Sequence, residues 1–195
     1  MLYINQKDYP DIPYITFAKH PEIEKGKHTT VASSACGLCS CMMALDRLQT
    51  DYSFSLQDAI QLSYDVEANA DEGTDLLIFA PAFADRFNLK YVQSDDIRDL
   101  EECLRTGGAC VALVANRKDY VSVFTKVDHY IAVISQDKDG VFTILDPAQY
   151  EGKYDEPGRT GRVKVDGHFI YVTPELLSKE TETCINDRYA LFWRK

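Results

Sequence analysis

The sequence predicts an α+β fold, with helices in its first half packed on an antiparallel sheet formed by its second half. Three observations carry this expectation. Apolar residues recur at helical spacing from position 37 to about 105, and dense apolar runs of strand length follow from Ala109. A turn-forming Asp137-Lys138-Asp139-Gly140 separates two of those runs, as in an antiparallel hairpin. The chain also lacks the alternating strand–helix rhythm that a parallel sheet requires. The expected division is a helical part over about 36–106 and a sheet part over about 109–195, within one domain spanning 1–195.

Residues 1–35 read as loop, with Pro10, Pro13, Pro21 and Gly26 among many Lys and Glu. The first helix begins at Gly37, where Leu38, Met42, Leu45 and Leu48 fall on one face. A second begins at Ser55, whose Ser-x-x-Asp pattern with Asp58 resembles a capping box. Thr74 to Phe87 is helical, and Pro81 is expected to kink it or delay its start. Leu89 to Val92 is a short strand. Asp95 to Arg105 is a helix with acidic residues in its first turn and Gly107-Gly108 closing it. Ala109 to Val114, Asp128 to Ser135 and Val141 to Asp146 are strands. Residues 147–162, rich in Gly, Pro and charge, are a long loop, and further strands fall at 162–166, 168–172 and 189–193.

Composition narrows the function classes. The 195 residues are 45% hydrophobic and 27% charged, enough for a sizeable core without disordered bias. Acidic residues outnumber basic ones by 31 to 21, giving a formal charge of −10. Such a surface repels phosphate backbones and anionic lipid, so nucleic acid and membrane are poor partners. A basic or neutral peptide or protein substrate suits it better. No stretch approaches the roughly 20 apolar residues needed to cross a bilayer, and Met1 to Pro10 lacks the apolar middle of a signal peptide. The expected location is the cytoplasm. Of six cysteines, Cys36, Cys39 and Cys41 crowd within six residues, unlike a secreted disulfide framework, so reduced thiols are expected.

The chemistry centres on Cys36. It follows Val31-Ala32-Ser33-Ser34-Ala35 and stands at the start of the first helix, where unpaired N–H groups and the helix dipole favour a thiolate. Gly37 allows close approach of a substrate, and the Cys36 N–H is placed to donate to an oxyanion. On position alone, a buried structural thiol is an equal reading. His129 adds weight, because it opens an otherwise apolar strand whose hairpin partner ends at Asp146. A two-residue loop centred on Lys138-Asp139 puts His129 opposite Ala148 and Asp146 opposite Ile131. His129 and Asp146 then leave the same face as diagonal neighbours roughly 7–8 Å apart at the backbone. A carboxylate there holds the imidazole in one tautomer while the other nitrogen meets the thiol. A slip of one residue would break this geometry. His20, His28 and His168 have no equivalent carboxylate and read as solvated.

Four segments resemble the double-glycine (bacteriocin-processing) leader peptidase-like branch of papain-fold cysteine peptidases. They are Tyr3-Ile4-Asn5-Gln6-Lys7-Asp8, Thr30 to Gly37, Gly107 to Leu113, and the pair Asp128 to Val133 with Ile144-Leu145-Asp146-Pro147. Their order and spacing, across residues 3–147, carry the likeness. The resemblance implies a papain-like fold, a Cys36–His129–Asp146 catalytic triad, and Gln6 as an oxyanion donor beside the Cys36 N–H. It calls for no cofactor. Ala35 and Leu38 depart from the family's usual glycine and proline, and the early tryptophan is absent, since the only one is Trp193.

Other classes compete. Cys36-Gly37-Leu38-Cys39 is a C-x-x-C at a helix start, as in thiol–disulfide oxidoreductases, but no βαβ unit surrounds it. Zinc is disfavoured because Cys103 and Cys110 are seven apart and form no ligand pair. A catalytically silent peptide-binding module of the same fold is the remaining alternative. A peptidase, an acyltransferase and a deamidase share one triad, so the sequence names neither the substrate nor the oligomeric state.

Overall fold

The computed structural model describes residues 1–17, 29–49, 52–71 and 73–195. His20, His28, Pro21 and Gly26 lie outside them. The helices are α1 (Val31–Ser34), α2 (Cys36–Leu48), α3 (Leu56–Asp65), α4 (Leu76–Arg86), α5 (Ile97–Arg105) and α6 (Pro174–Glu180). The strands are β1 (Leu89–Ser94), β2 (Ala109–Ala115), β3 (Asp128–Gln136), β4 (Phe142–Leu145), β5 (Lys164–Asp166), β6 (Phe169–Val172) and β7 (Tyr189–Arg194). They form one sheet in the order β1-β7-β2-β3-β4-β6-β5, and every adjacent pair is antiparallel.

The central strands read as unbroken apolar runs because both faces of the sheet are covered. Ala109 and Val111 of β2, with Tyr130, Ala132 and Ile134 of β3, face the core shared with α2, α3 and α4. Cys110, Ala112 and Val114, with Ile131 and Val133, face a second core closed by Leu100, Cys103 and Leu104 of α5 and Leu177 of α6. The simple division into helices then sheet therefore needs amending. β1 pairs at the sheet edge, and α5 and α6 cover the face opposite α2.

Local chemistry explains most boundaries. Ser55 and Asp58 form the expected capping box, with Ser55 N–H donating to Asp58 Oδ2 (2.7 Å) and Asp58 N–H to Ser55 Oγ (3.2 Å). α5 is capped by Asp96, which accepts from the Arg98 N–H, and not by Asp95. Asp95 instead holds the backbone N–H of Asn186 ahead of β7 (2.8 Å). Pro81 neither delays nor ends α4, which runs through it. Packing of Phe79, Phe83 and Phe87 with Phe54 and Phe192 overrides the lost backbone bond. α6 has no counterpart among the predicted elements, although Thr173 capping it and Pro174 at its first position are a readable start signal. Residues 1–35 are not all loop, since Gln6–Asp8 is a 3-10 turn and α1 precedes the first long helix.

The hairpin that carries the site differs from expectation in a self-correcting way. Asp137 N–H bonds Val141 O, so the turn holds three residues, Lys138, Asp139 and Gly140, with Gly140 at φ +86°. That alone would shift every later pair by one. A β-bulge at Ile134 removes the shift, and beyond it Val133 faces Ile144 and Ala132 faces Leu145. These are the pairings of the two-residue turn, so Asp146 still aligns with Ile131. The carbonyl of the bulged Ile134 accepts from Arg47 Nε of α2 (3.0 Å), while Ser40 Oγ of α2 donates to Tyr130 O (3.1 Å). Both bonds fix α2 against β3. Arg47→Ala is expected to lower stability by about 1–2 kcal/mol in urea unfolding, through the part-buried carbonyl left without its partner.

Candidate active site

The Cys36 position arises from a break between two helices. α1 ends at Ser34, Ala35 sits at φ −99°, ψ 21°, and α2 restarts at Cys36. The Ala32 carbonyl, which an unbroken helix would offer to the Cys36 N–H, already accepts from Gln6 Nε2 (2.9 Å) and Lys7 Nζ (2.8 Å). Ala35 needs no glycine, because its backbone is right-handed and its methyl group is fully buried. Leu38 likewise packs in the core. Gly37 also answers to packing within the protein. A Cβ there would lie 3.0 Å from Thr74 Cβ and 3.3 Å from Tyr130 Cδ2, so its bare backbone is matched to the core beneath it.

His129 Nε2 is 2.8 Å from Asp146 Oδ1, which leaves Nδ1 for the Cys36 thiol to which the ring is also hydrogen-bonded. Burial pushes the Cys36 thiol up, but the His129 hydrogen bond and charge bring it below its ordinary value. Burial opposes a charged His129, yet Asp146 and Cys36 raise it to about 9. Asp146 has no exposed surface. Burial raises its pKa, but Lys153 and His129 outweigh that and hold it well below the usual carboxylate range. The favoured protonation state is thus a thiolate–imidazolium pair over an ionised carboxylate.

Gln6 reaches this site through the N-terminal segment. Its N–H donates to Pro147 O (2.7 Å), Tyr3 Oη donates to Asp146 O (2.9 Å) and Asn5 Nδ2 to Gln149 O (2.8 Å). Gln6 is 3% exposed, and its amide spends one N–H on Ala32 O. Its Oε1 is buried with no hydrogen-bond partner among the described residues.

Two hollows of about 270 and 420 Å³ meet at Cys36 and His129. One is walled by Lys7, the segment Phe124–Asp128, and Arg159. The other is lined by Asp71, Asp75, Asp128 and Asp187 beside Leu77 and Tyr130. Burial, Asp75 and Asp95 together push the Asp187 carboxyl up. The first wall is pinned by buried Glu180, which accepts from Ser122 Oγ (2.5 Å), Tyr120 Oη (2.6 Å) and Val123 N–H (3.1 Å). A larger hollow of about 570 Å³ lies on another side of Lys153 and contains no cysteine. His168 borders it, exposed as expected but stacked on Tyr3 at 3.8 Å.

All six cysteines are free thiols. Cys39 and Cys41 lie in the core with no exposure, and burial pushes both thiols far up. Sequence reasoning missed Lys153 and Tyr154, which bond Asp146 from within the segment read as loop. No periodic signal marks them, because a 3-10 turn of three residues at Lys153–Asp155 presents them.

No protein-family model and no curated protein matches the chain. Among solved structures it is similar to a chain from Bacillus anthracis described as a candidate C39-like peptidase. That match has TM-score 0.52 and 12% identity, and covers 95% of this chain and 96% of that one. The chain therefore has a papain-like α+β fold. Among the described residues, no helix is long and apolar enough to cross a membrane.

The site predicts selective alkylation. At pH 6.5, iodoacetamide should label Cys36 at least about tenfold faster than Cys39 or Cys184, read by mass spectrometry, and His129→Ala should erase that preference. Equal labelling would show that no thiolate–imidazole pair forms.

Proposed function

We propose that this chain is a cysteine peptidase that cleaves a peptide amide bond, with Cys36 as nucleophile, His129 as general base and acid, and Asp146 as orienting carboxylate. The observation that carries this reading is one imidazole held between Asp146 and a thiol at a helix start, at the junction of two open hollows. The Cys36 thiolate attacks the amide carbon, and the carbonyl oxygen takes the negative charge. The Cys36 N–H and the second Gln6 N–H stabilise that oxyanion. Imidazolium Nδ1–H then protonates the leaving nitrogen, the C–N bond breaks, and a thioester remains. His129 removes a proton from water, hydroxide attacks the thioester, and the C–S bond breaks to release a carboxylic acid and return Cys36 as thiolate beside the imidazolium.

We further assign the chain to the double-glycine leader peptidase-like branch. The segments that bear the likeness also touch one another, since the Gln6 turn bonds both Ala32 and Pro147, and β3 presents His129 to Asp146. The four carboxylates along one hollow favour a cationic side chain on that side of the scissile bond. The free thiols accord with a reducing compartment such as the cytoplasm.

The test is cleavage of a mixed peptide library, with new termini read by mass spectrometry. Cys36→Ala should abolish cleavage, and Asp146→Asn should leave an enzyme slower by about 10³–10⁴-fold. The profile of kcat/KM against pH should be bell-shaped. It rises as the thiolate forms, below the ordinary thiol range near about 8.5. It falls towards about 9, where His129 loses the proton it donates. Full cleavage by Cys36→Ala would refute the assignment.

A further inference from the structure

Asp146 is more heavily bound than an orienting carboxylate requires. Oδ1 accepts from His129 Nε2 (2.8 Å) and the Ala148 N–H (2.8 Å), while Oδ2 accepts from Lys153 Nζ (2.5 Å) and Tyr154 Oη (2.7 Å). Lys153 is only 3% exposed. Burying an ammonium is costly unless a carboxylate compensates it. Apart from Asp146, Nζ bonds the Ala148 carbonyl (3.0 Å), and the Tyr150 and Tyr154 rings lie 5.7 and 5.8 Å away. Its charged neighbours Arg159 and Lys7 are cations that repel it. Asp146 is thus the anion that keeps Lys153 charged, and Lys153 in turn acts on Asp146.

We propose that Lys153 is a positioning and charge-balancing residue for the Cys36–His129 pair, holding Asp146 ionised and making the thiolate–imidazolium state neutral as a buried unit. This rests on the reading of Cys36 as nucleophile. With Lys153 present, the thiolate, imidazolium, carboxylate and ammonium charges cancel. Without it, the same state leaves one uncompensated negative charge in the interior. The neutral alternative keeps the proton on sulfur while His129 stays charged against Asp146. Removing a nearby cation makes proton loss harder at every coupled site, so the thiol and the imidazolium both titrate at higher pH.

The other groups facing this unit do not supply the missing charge. Tyr154 and Tyr3 beside Asp146, and Cys39, Tyr14 and Tyr130 beside Cys36, are pushed up by burial and keep their protons near neutrality. Asp128 precedes His129, and Asp75 and Asp187 lie beyond Tyr130, adding only negative charge. Arg159 is neutralised by Glu156, and the cations that act on Asp146 and Cys36 are Lys153 and His129, not Lys7.

The experiment is the pH midpoint of Cys36 alkylation in wild type, Lys153→Met and Tyr154→Phe, with urea unfolding in parallel. Lys153→Met is expected to raise the midpoint by about one pH unit, or roughly tenfold slower labelling at pH 6.5. Tyr154→Phe removes a neutral bond to the same oxygen and should leave the midpoint close to wild type. A purely structural Lys153 would lower stability and leave the midpoint unmoved, which overturns the proposal. If Lys153→Met fails to fold, Lys153→Gln keeps a donor to Asp146 without the charge. An upward shift there supports charge balance, and no shift overturns it. Absence of His129-dependent labelling in wild type would instead refute the nucleophile reading itself.

Discussion

Asp146 has no exposed surface, and donors from His129, Ala148, Lys153 and Tyr154 end on its two carboxylate oxygens, while Tyr3 closes on its carbonyl. A buried carboxylate exists as an anion only where such partners outweigh its lost hydration. Each partner therefore fixes a different part of the chain. His129 fixes the start of β3, Lys153 and Tyr154 fix the segment after β4, and Tyr3 brings the N-terminal strap across that segment. The strap carries Gln6, so the Gln6 side of the cleft is tied to the imidazole side through one residue. Cys36 is set by a separate constraint, the attachment of α2 to β3 through Ser40 and Arg47.

That attachment meets the hairpin at its irregular point. The bulge at Ile134 frees a carbonyl that Arg47 takes, and it also offsets the three-residue turn that would have displaced Asp146 by one position. A one-residue slip exchanges the two faces of a strand. In this fold it would send the Asp146 carboxylate away from His129. The bulge is thus what makes the turn chemistry at Gly140 compatible with the site.

These details show where the sequence is legible. Strong apolar periodicity marked α2, and the Ser55–Asp58 box marked α3, because both are local signals. The apolar runs of β2 and β3 could be read as strands, and the common parity of 129 and 131 set His129 against Asp146. A two-residue turn gives that pairing, and although the turn is one residue longer, the bulge at Ile134 cancels the difference. Lys153 was hidden for a different reason. Its partner is seven residues away, its surroundings are rich in Gly and charge, and nothing in a lysine's identity distinguishes a buried ammonium from a solvated one. Likewise the strap at Gln6 holds through bonds to Ala32 and Pro147, contacts too distant in sequence for local patterning to register.

The departures from the leader-peptidase pattern can be weighed on the same physical terms. A glycine before the nucleophile is indispensable only where the backbone takes positive φ or a Cβ meets an obstacle. Ala35 has φ −99°, and its methyl group fills the core. A proline two residues after the nucleophile stiffens the first helical turn. Here Leu38 anchors that turn by burial in the core instead, and the preceding α1 brings its own capping interaction between Thr30 and Ser33. What the helix start needs is a fixed direction for the Cys36 N–H and thiol, and packing supplies it as proline would. Gly37 is the more tightly constrained position, since a Cβ there would press on Thr74 Cβ at 3.0 Å and Tyr130 Cδ2 at 3.3 Å. Of the two glycines that flank the cysteine in that pattern, only the one after it is kept here. It answers to the packing of α2 against β3 rather than to the turn.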